Sequence, residues 1–380
     1  MGCWPMKILR RARSLMVFWL DDELVVENYL TKSAYAVSED LIRVLTAFTN
    51  FTTTEAVSEQ LSDYDAESVS EAVSVLVDCG FLLEESASAD DDALDSAWSE
   101  WPQDARYFHF STKDAPYVEA LPDELKIVEE IIDGPQPPIV KAPSRAPHVY
   151  LPRDFIRLDA LFYDVLLARR THRRFVDAPL SVRVFSTLMH LSFGPMQFID
   201  AGVFGTLMMK NSAAAGARHE LEHYVAVLNV DSIDPGLYHY DLMTHSLELI
   251  DSEFSAADAV RLTYEQEFCG SGAFTIFTTA VVARMMSKYR HPRAYRAILM
   301  DLGHQAQTFA SVATALHLGP FQTAAIKDAE VEQALGIDGF RETAMYCMGA
   351  GLPDLDARGM AVDAAPIAGG AAWNKTTWLR

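Results

Sequence analysis

The sequence predicts an α+β protein in two parts. A small winged-helix-like module is expected over residues 1–85, and a larger domain over 151–380, where helices flank an antiparallel or mixed sheet. Three observations predict this. Residues 16–85 order themselves as a hairpin, three helices and a strand. An acidic stretch and then a proline-rich one separate this part from the rest. Beyond residue 150, apolar segments of strand length alternate with longer amphipathic segments.

In the first part, Met16-Val17-Phe18-Trp19 and Leu24-Val25-Val26 flank Asp21-Asp22, the pattern of a hairpin. Ser38 is placed to cap a helix with Leu41, Val44, Leu45 and Phe48 on one face. Thr52-Thr53-Thr54-Glu55 opens a second helix. A third runs from Ala66 to Cys79 with Val69, Val73, Leu76 and Val77 inward, Gly80 ends it, and Phe81-Leu82-Leu83 reads as a closing strand. Such modules commonly bind DNA, but this one is acidic and has no basic recognition helix, so a peptide- or partner-binding role is expected.

Between Glu84 and Asp104 stand eight acidic residues and no Lys or Arg, which reads as a solvated linker. Trp98, Trp101, Tyr107, Phe108, His109 and Phe110 form an aromatic island after it. The run from Asp133 through Pro135, Pro137 and Pro138 to Pro147 reads as a second, extended linker, completing a segment 86–150 between the two parts. In the second part, Asp154 to Arg170 and Ser181 to Leu191 read as amphipathic helices. Tyr224 to Leu228 reads as a buried strand, with Gly236 to Tyr240 and Leu247 to Ile250 as antiparallel neighbours. Apolar helices are expected from Phe274 to Tyr289 and from Ala294 to Leu318; the second is apolar nearly all round, as in a core or a dimer interface.

With 31 basic and 53 acidic residues the formal net charge is −22, a field that repels phosphate backbones and anionic lipid. Nucleic acid and membrane are therefore not expected as partners. Cys3, Cys79, Cys269 and Cys347 show no CxxC or metal-ligand spacing, which fits a reducing compartment and no metal. The basic residues before Leu15–Leu20 imitate a signal peptide, but the apolar run is short and Asp21-Asp22-Glu23 follows it, so a cytoplasmic protein is expected. His172, His219, His304 and His317 lack zinc spacing, and GxSxG, Walker A and GxGxxG patterns are absent.

The densest chemistry lies in Ala168-Arg169-Arg170-Thr171-His172-Arg173-Arg174-Phe175. Guanidinium groups grip phosphate oxygens bidentately and a hydroxyl adds a neutral donor. Two or three cations would suffice to complement a helix C-terminus; this density favours an anion site.

That phrase resembles the R-x-S-x-R signature of nitroreductase-like FMN proteins. Ser212-Ala213-Ala214-Ala215-Gly216-Ala217-Arg218-His219-Glu220 resembles the S-x-G-G-A-x-x-P-x-E loop of their SagB-type members, the azoline oxidases of peptide maturation. Pro235-Gly236-Leu237-Tyr238-His239-Tyr240 with Leu247-Glu248-Leu249 resembles the hairpin of the same group. Asp301-Leu302-Gly303-His304-Gln305-Ala306-Gln307 and Leu316-His317-Leu318-Gly319-Pro320-Phe321 resemble its G-H-x-x-Q-N helix and the glycine-bearing turn after it. The likeness spans about residues 155 to 350. It departs in the loop, where Ala-Ala-Ala stands for Gly-Gly and His-Glu for Tyr-Pro.

The resemblance implies a nitroreductase-like FMN fold and a homodimer. It implies that Arg169, Arg170, Thr171, Arg173, Ser212, Gly216, Gly319, Pro320 and Phe321 contact FMN. It further implies that Lys288 and Tyr289 move the proton while an azoline becomes an azole. The substrate would be a ribosomally made peptide with a leader, and a cyclodehydratase or other modifying enzyme would be a partner. Read without the resemblance, Lys288 complements a helix C-terminus and Tyr289 is a boundary aromatic. A flavin reductase for small substrates and a non-catalytic scaffold remain open beside the oxidase.

Overall fold

The computed structural model describes residues 7–115, 137–202 and 205–355. The chain divides into two compact units, Met1–Pro116 and Tyr117–Arg380.

In the first unit, β1 (Ile8–Arg11) precedes an antiparallel meander of β2 (Leu15–Leu20), β3 (Glu23–Asn28) and β4 (Ser33–Ala36). Asp21 makes the expected turn at a left-handed φ of 51°. Helix α1 (Glu39–Ala47) is capped by Ser38, whose hydroxyl accepts from Leu41 N. Then follow β5 (Thr52–Thr53), α2 (Thr54–Gln60), α3 (Ala66–Asp78) and β6 (Leu82–Glu84), with β1 paired between β5 and β6. Leu9, Val26, Val44, Phe48, Val69, Leu76 and Phe81 close one core.

The acidic run is not a solvated linker. It folds as α4 (Ala89–Ala97) and α5 (Gln103–Ser111). Buried Asp91 accepts from Arg10 Nη1 at 2.7 Å and from the backbone of Arg13 and Ser14 at 3.0 Å, so one carboxylate docks the helix on β1. The aromatic island packs on the meander: Tyr107 meets Tyr29 edge-on at 5.8 Å, and Trp98 meets Phe110 at 5.4 Å.

The second unit carries β7 (His148–Tyr150), α6 (Phe162–Ala168), α7 (Val182–Phe193), β8 (Gln197–Asp200) and β9 (Thr206–Met209). It continues with β10 (Leu221–Val227), β11 (Gly236–Asp241), β12 (Ser246–Asp251), α8 (Ala256–Leu262), α9 (Phe268–Ser271), β13 (Phe274–Val281) and α10 (Val282–Met286). Last come α11 (Ala294–Ala315), β14 (Gly319–Thr323), α12 (Asp328–Leu335) and β15 (Glu342–Gly351). Seven strands form one antiparallel sheet in the order β14-β15-β13-β10-β11-β12-β7. On one face Val225, Val227 and Ile276 pack with Phe185 and Phe193 of α7 and Phe309 of α11. On the other, Tyr224, Ala226 and Phe277 pack with Leu262, Val331 and Leu335.

Four expectations are corrected here. The segment expected as a helix from Phe274 is the central strand β13, buried along almost its whole length. Covered on both faces, it has no polar alternation to separate it from a buried helix, and its threonines and aromatics favour the strand. Residues 154–161 are extended: Ile156 N donates to Thr187 Oγ1 at 3.0 Å and the Phe155 ring stacks on His190 at 4.0 Å, so α7 takes the contacts a helix would have made internally. Gly319–Thr323 is an edge strand and not a turn. The boundary expected near 150 falls earlier, because β7 pairs with β12 as part of the sheet. Asp133 to Gln136 of the expected proline-rich linker lie outside the described residues. Among the described residues no helix is long and apolar enough to cross a membrane.

Candidate functional site

Two clusters gather most of the residues singled out by sequence. The first joins the arginine-rich segment to β14. Arg169 caps α6, and the chain then runs extended, with Phe175 bridged to Pro353 and His172 N donating to Pro320 O at 2.9 Å. A β-carbon on Gly319 would fall 2.8 Å from His172 Cγ, so glycine permits this approach. Arg169, Thr171 and Arg173 are exposed and Arg170 is half-buried, donating to Ala168 O at 3.1 Å. Arg173 also stands 5.7 Å above the Phe268 ring. The Phe321 side chain is fully buried between Phe175 and Phe268, which leaves its backbone for any ligand.

The second cluster joins the loop before β10 to the turn after α10. Ser212 Oγ bonds Thr308 Oγ1 at 2.8 Å, and Ala215 N donates to Asp301 Oδ2 at 2.7 Å; both partners are on α11. Gly216, Ala217 and His219 all have left-handed φ, at 57°, 53° and 46°. Two of the three are not glycine, so the loop holds backbone strain of the kind found at sites. Charged and imidazole groups clamp it: Arg218 Nε donates to Gly216 O at 2.9 Å, Arg284 Nη1 to His219 O at 3.1 Å, and His219 Nε2 pairs with Met208 O at 2.6 Å.

Lys288 and Tyr289 sit one turn beyond α10, their amides on Met285 O. A β-carbon on Gly216 would meet Tyr289 Oη at 2.7 Å and Lys288 Nζ at 2.9 Å, so the structure brings these three together. Lys288 Nζ lies 5.4 Å from the Tyr289 ring centroid. Burial first, then the charge of Arg218, holds the Lys288 ammonium below its ordinary range. Helix α11 anchors both clusters, through Asp301 and Thr308 to the loop and through Ala306 O, which accepts from Gln322 Nε2 of β14 at 2.6 Å.

Sequence reasoning missed the charged groups behind the loop. Lys210, Ser212, His219, Glu220, Asp301 and Gln305 line a cavity about the size of one water, near 10 Å³. Glu220 is 0% exposed, and neither carboxylate oxygen has a hydrogen-bond partner among the described residues. Burial pushes its carboxyl up to about 7, while burial pushes Lys210 down to about 8 and His219 to about 4. Next to it, Glu222 pairs with Arg284 Nη2 at 2.6 Å and with His239 Nε2 at 3.0 Å, and His239 Nδ1 reaches Glu248 at 3.0 Å. Burial opposes the Glu222 charge, but His239 and Arg284 outweigh it and hold the carboxyl at about 2. The strand expected from Tyr224 begins at Leu221, which takes Glu222 and His223 into the sheet. A charge inside an otherwise apolar strand was the available signal. Among the described residues no group of three or more His, Cys, Asp or Glu is placed to hold a metal ion.

Comparison with known proteins agrees with this architecture. The profile of the nitroreductase family matches residues 166–352. The trifolitoxin operon protein TfxC of Rhizobium leguminosarum bv. trifolii is 26% identical over 336 residues, covering 83% of this chain and 93% of that protein. A protein of Methanocaldococcus jannaschii, assigned by name to the nitroreductases, is 30% identical over 174 residues, 46% of this chain and 83% of its own. A crystal structure from Anabaena variabilis, also assigned to that group, aligns with a TM-score of 0.51 at 22% identity, over 66% of this chain and 47% of its own; it speaks for the fold alone. With the sheet, the arginine segment and the loop in their places, the chain belongs to the nitroreductase family.

Proposed function

We propose that the protein is an FMN-dependent oxidoreductase that converts azolines to azoles in a ribosomally made peptide. The observation that carries this reading is the convergence of Lys288 Nζ and Tyr289 Oη on Gly216, in a strained loop beside the arginine segment's neighbour α11. The relative named for a trifolitoxin operon, matched over 93% of its length, supports a role in making a modified toxin.

The residues present fit FMN. Arg169, Arg170 and Arg173 offer guanidinium groups and Thr171 a hydroxyl for a phosphate, and Gly319 keeps β14 flush against that segment where a side chain would intrude. Ser212, Gly216 and the backbone of Pro320 and Phe321 would complete the binding surface. When bound, FMN supplies the hydride acceptor for the ring's β-carbon. Lys288 accepts the proton of the α-carbon, and its half-buried position next to Arg218 favours the neutral amine that this requires. Tyr289 orients that amine or passes the proton outward. Loss of one proton and one hydride leaves the aromatic azole.

The exposed apolar side chains of α6, Phe162, Tyr163, Leu166 and Leu167, together with Tyr295, Leu299 and Met300 of α11, support a homodimer. In the first unit Val17, Trp19 (65% exposed) and Tyr35 leave an apolar strip on the meander, which supports a role in holding a peptide leader or a modifying partner. Removing residues 1–115 tests that role without cutting β7 from the sheet; unchanged affinity for a leader peptide would remove it.

The visible spectrum of the purified protein, recorded anaerobically before and after adding a thiazoline-containing peptide, tests the reaction. Bleaching by the peptide and recovery in air are expected. A yellow protein bleached by NADPH and indifferent to the peptide would move the reading to a reductase of small substrates. A protein that cannot be loaded with FMN would end it.

A further inference from the structure

Arg218 is half-buried in the strained loop, and its Nε donates to Gly216 O at 2.9 Å. The Cα of that same Gly216 faces Lys288 and Tyr289 so closely that no β-carbon fits. The guanidinium is thus tied through one residue to the spot where the amine and the phenol converge. On the loop's other side, Asp301 takes Ala215 N at 2.7 Å, so the loop cannot slide away from the pair. Ala217, between the two residues this bond joins, holds a left-handed φ of 53°.

We propose that Arg218 is a positioning residue, which holds Gly216 against Lys288 and Tyr289 and sets its own positive charge close to that amine. The inference rests on the reading of Lys288 as the base, and it adds the residue that holds the loop against that lysine. Among the described residues, Arg218 from the loop and Tyr289 from the amine's own turn act on it, and Arg290, His291 and Arg293 follow in the chain. Burial first and then the charge of Arg218 disfavour the Lys288 ammonium, while burial also lowers Arg218 itself, opposed in part by Tyr289. An arginine suits the part because its guanidinium stays protonated across the working range while it donates to a carbonyl.

The test is competitive acetylation of the full-length protein with acetic anhydride across pH, reading residue 288 by mass spectrometry. In the unsubstituted protein Lys288 is expected to reach half-maximal labelling at lower pH than the exposed lysines. In Arg218→Gln that midpoint moves up toward theirs, and in Arg218→Lys it stays low. The acid limb of the kcat/KM profile should move up with it in Arg218→Gln. An unmoved Lys288 midpoint in Arg218→Gln, in protein that retains its circular dichroism, overturns the proposal. Full turnover by Lys288→Ala would instead overturn the reading of Lys288 as base, while leaving the labelling result to stand.

Discussion

Gly216 and Tyr289 approach so closely that a β-carbon on the glycine would lie 2.7 Å from the phenol oxygen, while the glycine itself holds a φ of 57°. Gly216→Ala therefore has two effects of different kinds. The left-handed backbone costs about 1 kcal/mol in an alanine, a modest loss of stability. The clash is relieved by moving the ends of Lys288 and Tyr289, and a displacement of about 1 Å can cost roughly 100-fold in rate. Turnover should fall by about that factor while the urea midpoint changes little. A variant that keeps its rate would show that the contact has no part in the reaction.

Gly319 makes the equivalent contact in the other cluster, against the base of the His172 ring, which cannot swing aside as a lysine end can. Gly319→Ala should push the arginine segment off β14. Flavin affinity is expected to drop about tenfold or more, equivalent to about 1.4 kcal/mol, read as the FMN-to-protein ratio after gel filtration.

Glu220 gives a pH signature. Its folded carboxyl is raised to about 7 from 4.5, so between those values the native state binds more protons than the unfolded one. Its contribution to stability is therefore present at low pH and lost as pH rises through that window. Glu220→Gln should be more stable than the parent at pH 8, by up to about 3 kcal/mol on the size of the shift, and the advantage should vanish near pH 4.5. His219, His223 and His245 act in the opposite sense. Burial holds them at about 4, 3 and 4, so both proteins should lose stability as pH falls below 6.5. Equal denaturation midpoints for the two proteins at pH 8 would contradict the assignment.

Arg284 and Glu222 form a buried ion pair at 2.6 Å. Arg284→Met leaves the Glu222 carboxylate with His239 alone and should destabilise by up to about 3–5 kcal/mol. Removing both charges with Glu222→Leu should restore much of the loss, by the same reasoning. Guanidinium denaturation of the single and double variants distinguishes this from simple loss of packing, in which the double variant would be the worse.

Strand and helix types were legible in the sequence where turn and cap residues mark the ends of an element. The hairpin at Asp21, the helix capped by Ser38 and the strand after Gly236 all stand where patterning puts them. Legibility failed along Phe274–Val281, where both faces are covered, period-two alternation disappears and the apolar run continues to helix length. It failed also at the acidic run, since nothing local tells that Asp91 will be neutralised by Arg10, 81 residues away. At the site, the backbone-permissive Gly216 and Gly319 were found by motif. Glu220, Lys210 and Arg218 become meaningful only once the fold brings α11 and the loop together, since their importance lies in burial and neighbours and not in residue type.

Lys141 lies ahead of β7, and it bonds Glu342 at 2.7 Å and Tyr224 Oη at 2.5 Å, while Ser144 N serves Glu248 and Pro138 O takes Arg284 Nε. The second unit is thus stitched to a stretch of chain that a reader of composition would assign to the spacer. For anyone exchanging the first unit between related proteins, this sets the splice point. A graft that retains residue 137 onward keeps the sheet complete and Lys141 on Glu342, whereas a junction at 150 would take Lys141 from Glu342 and the Ser144 amide from Glu248.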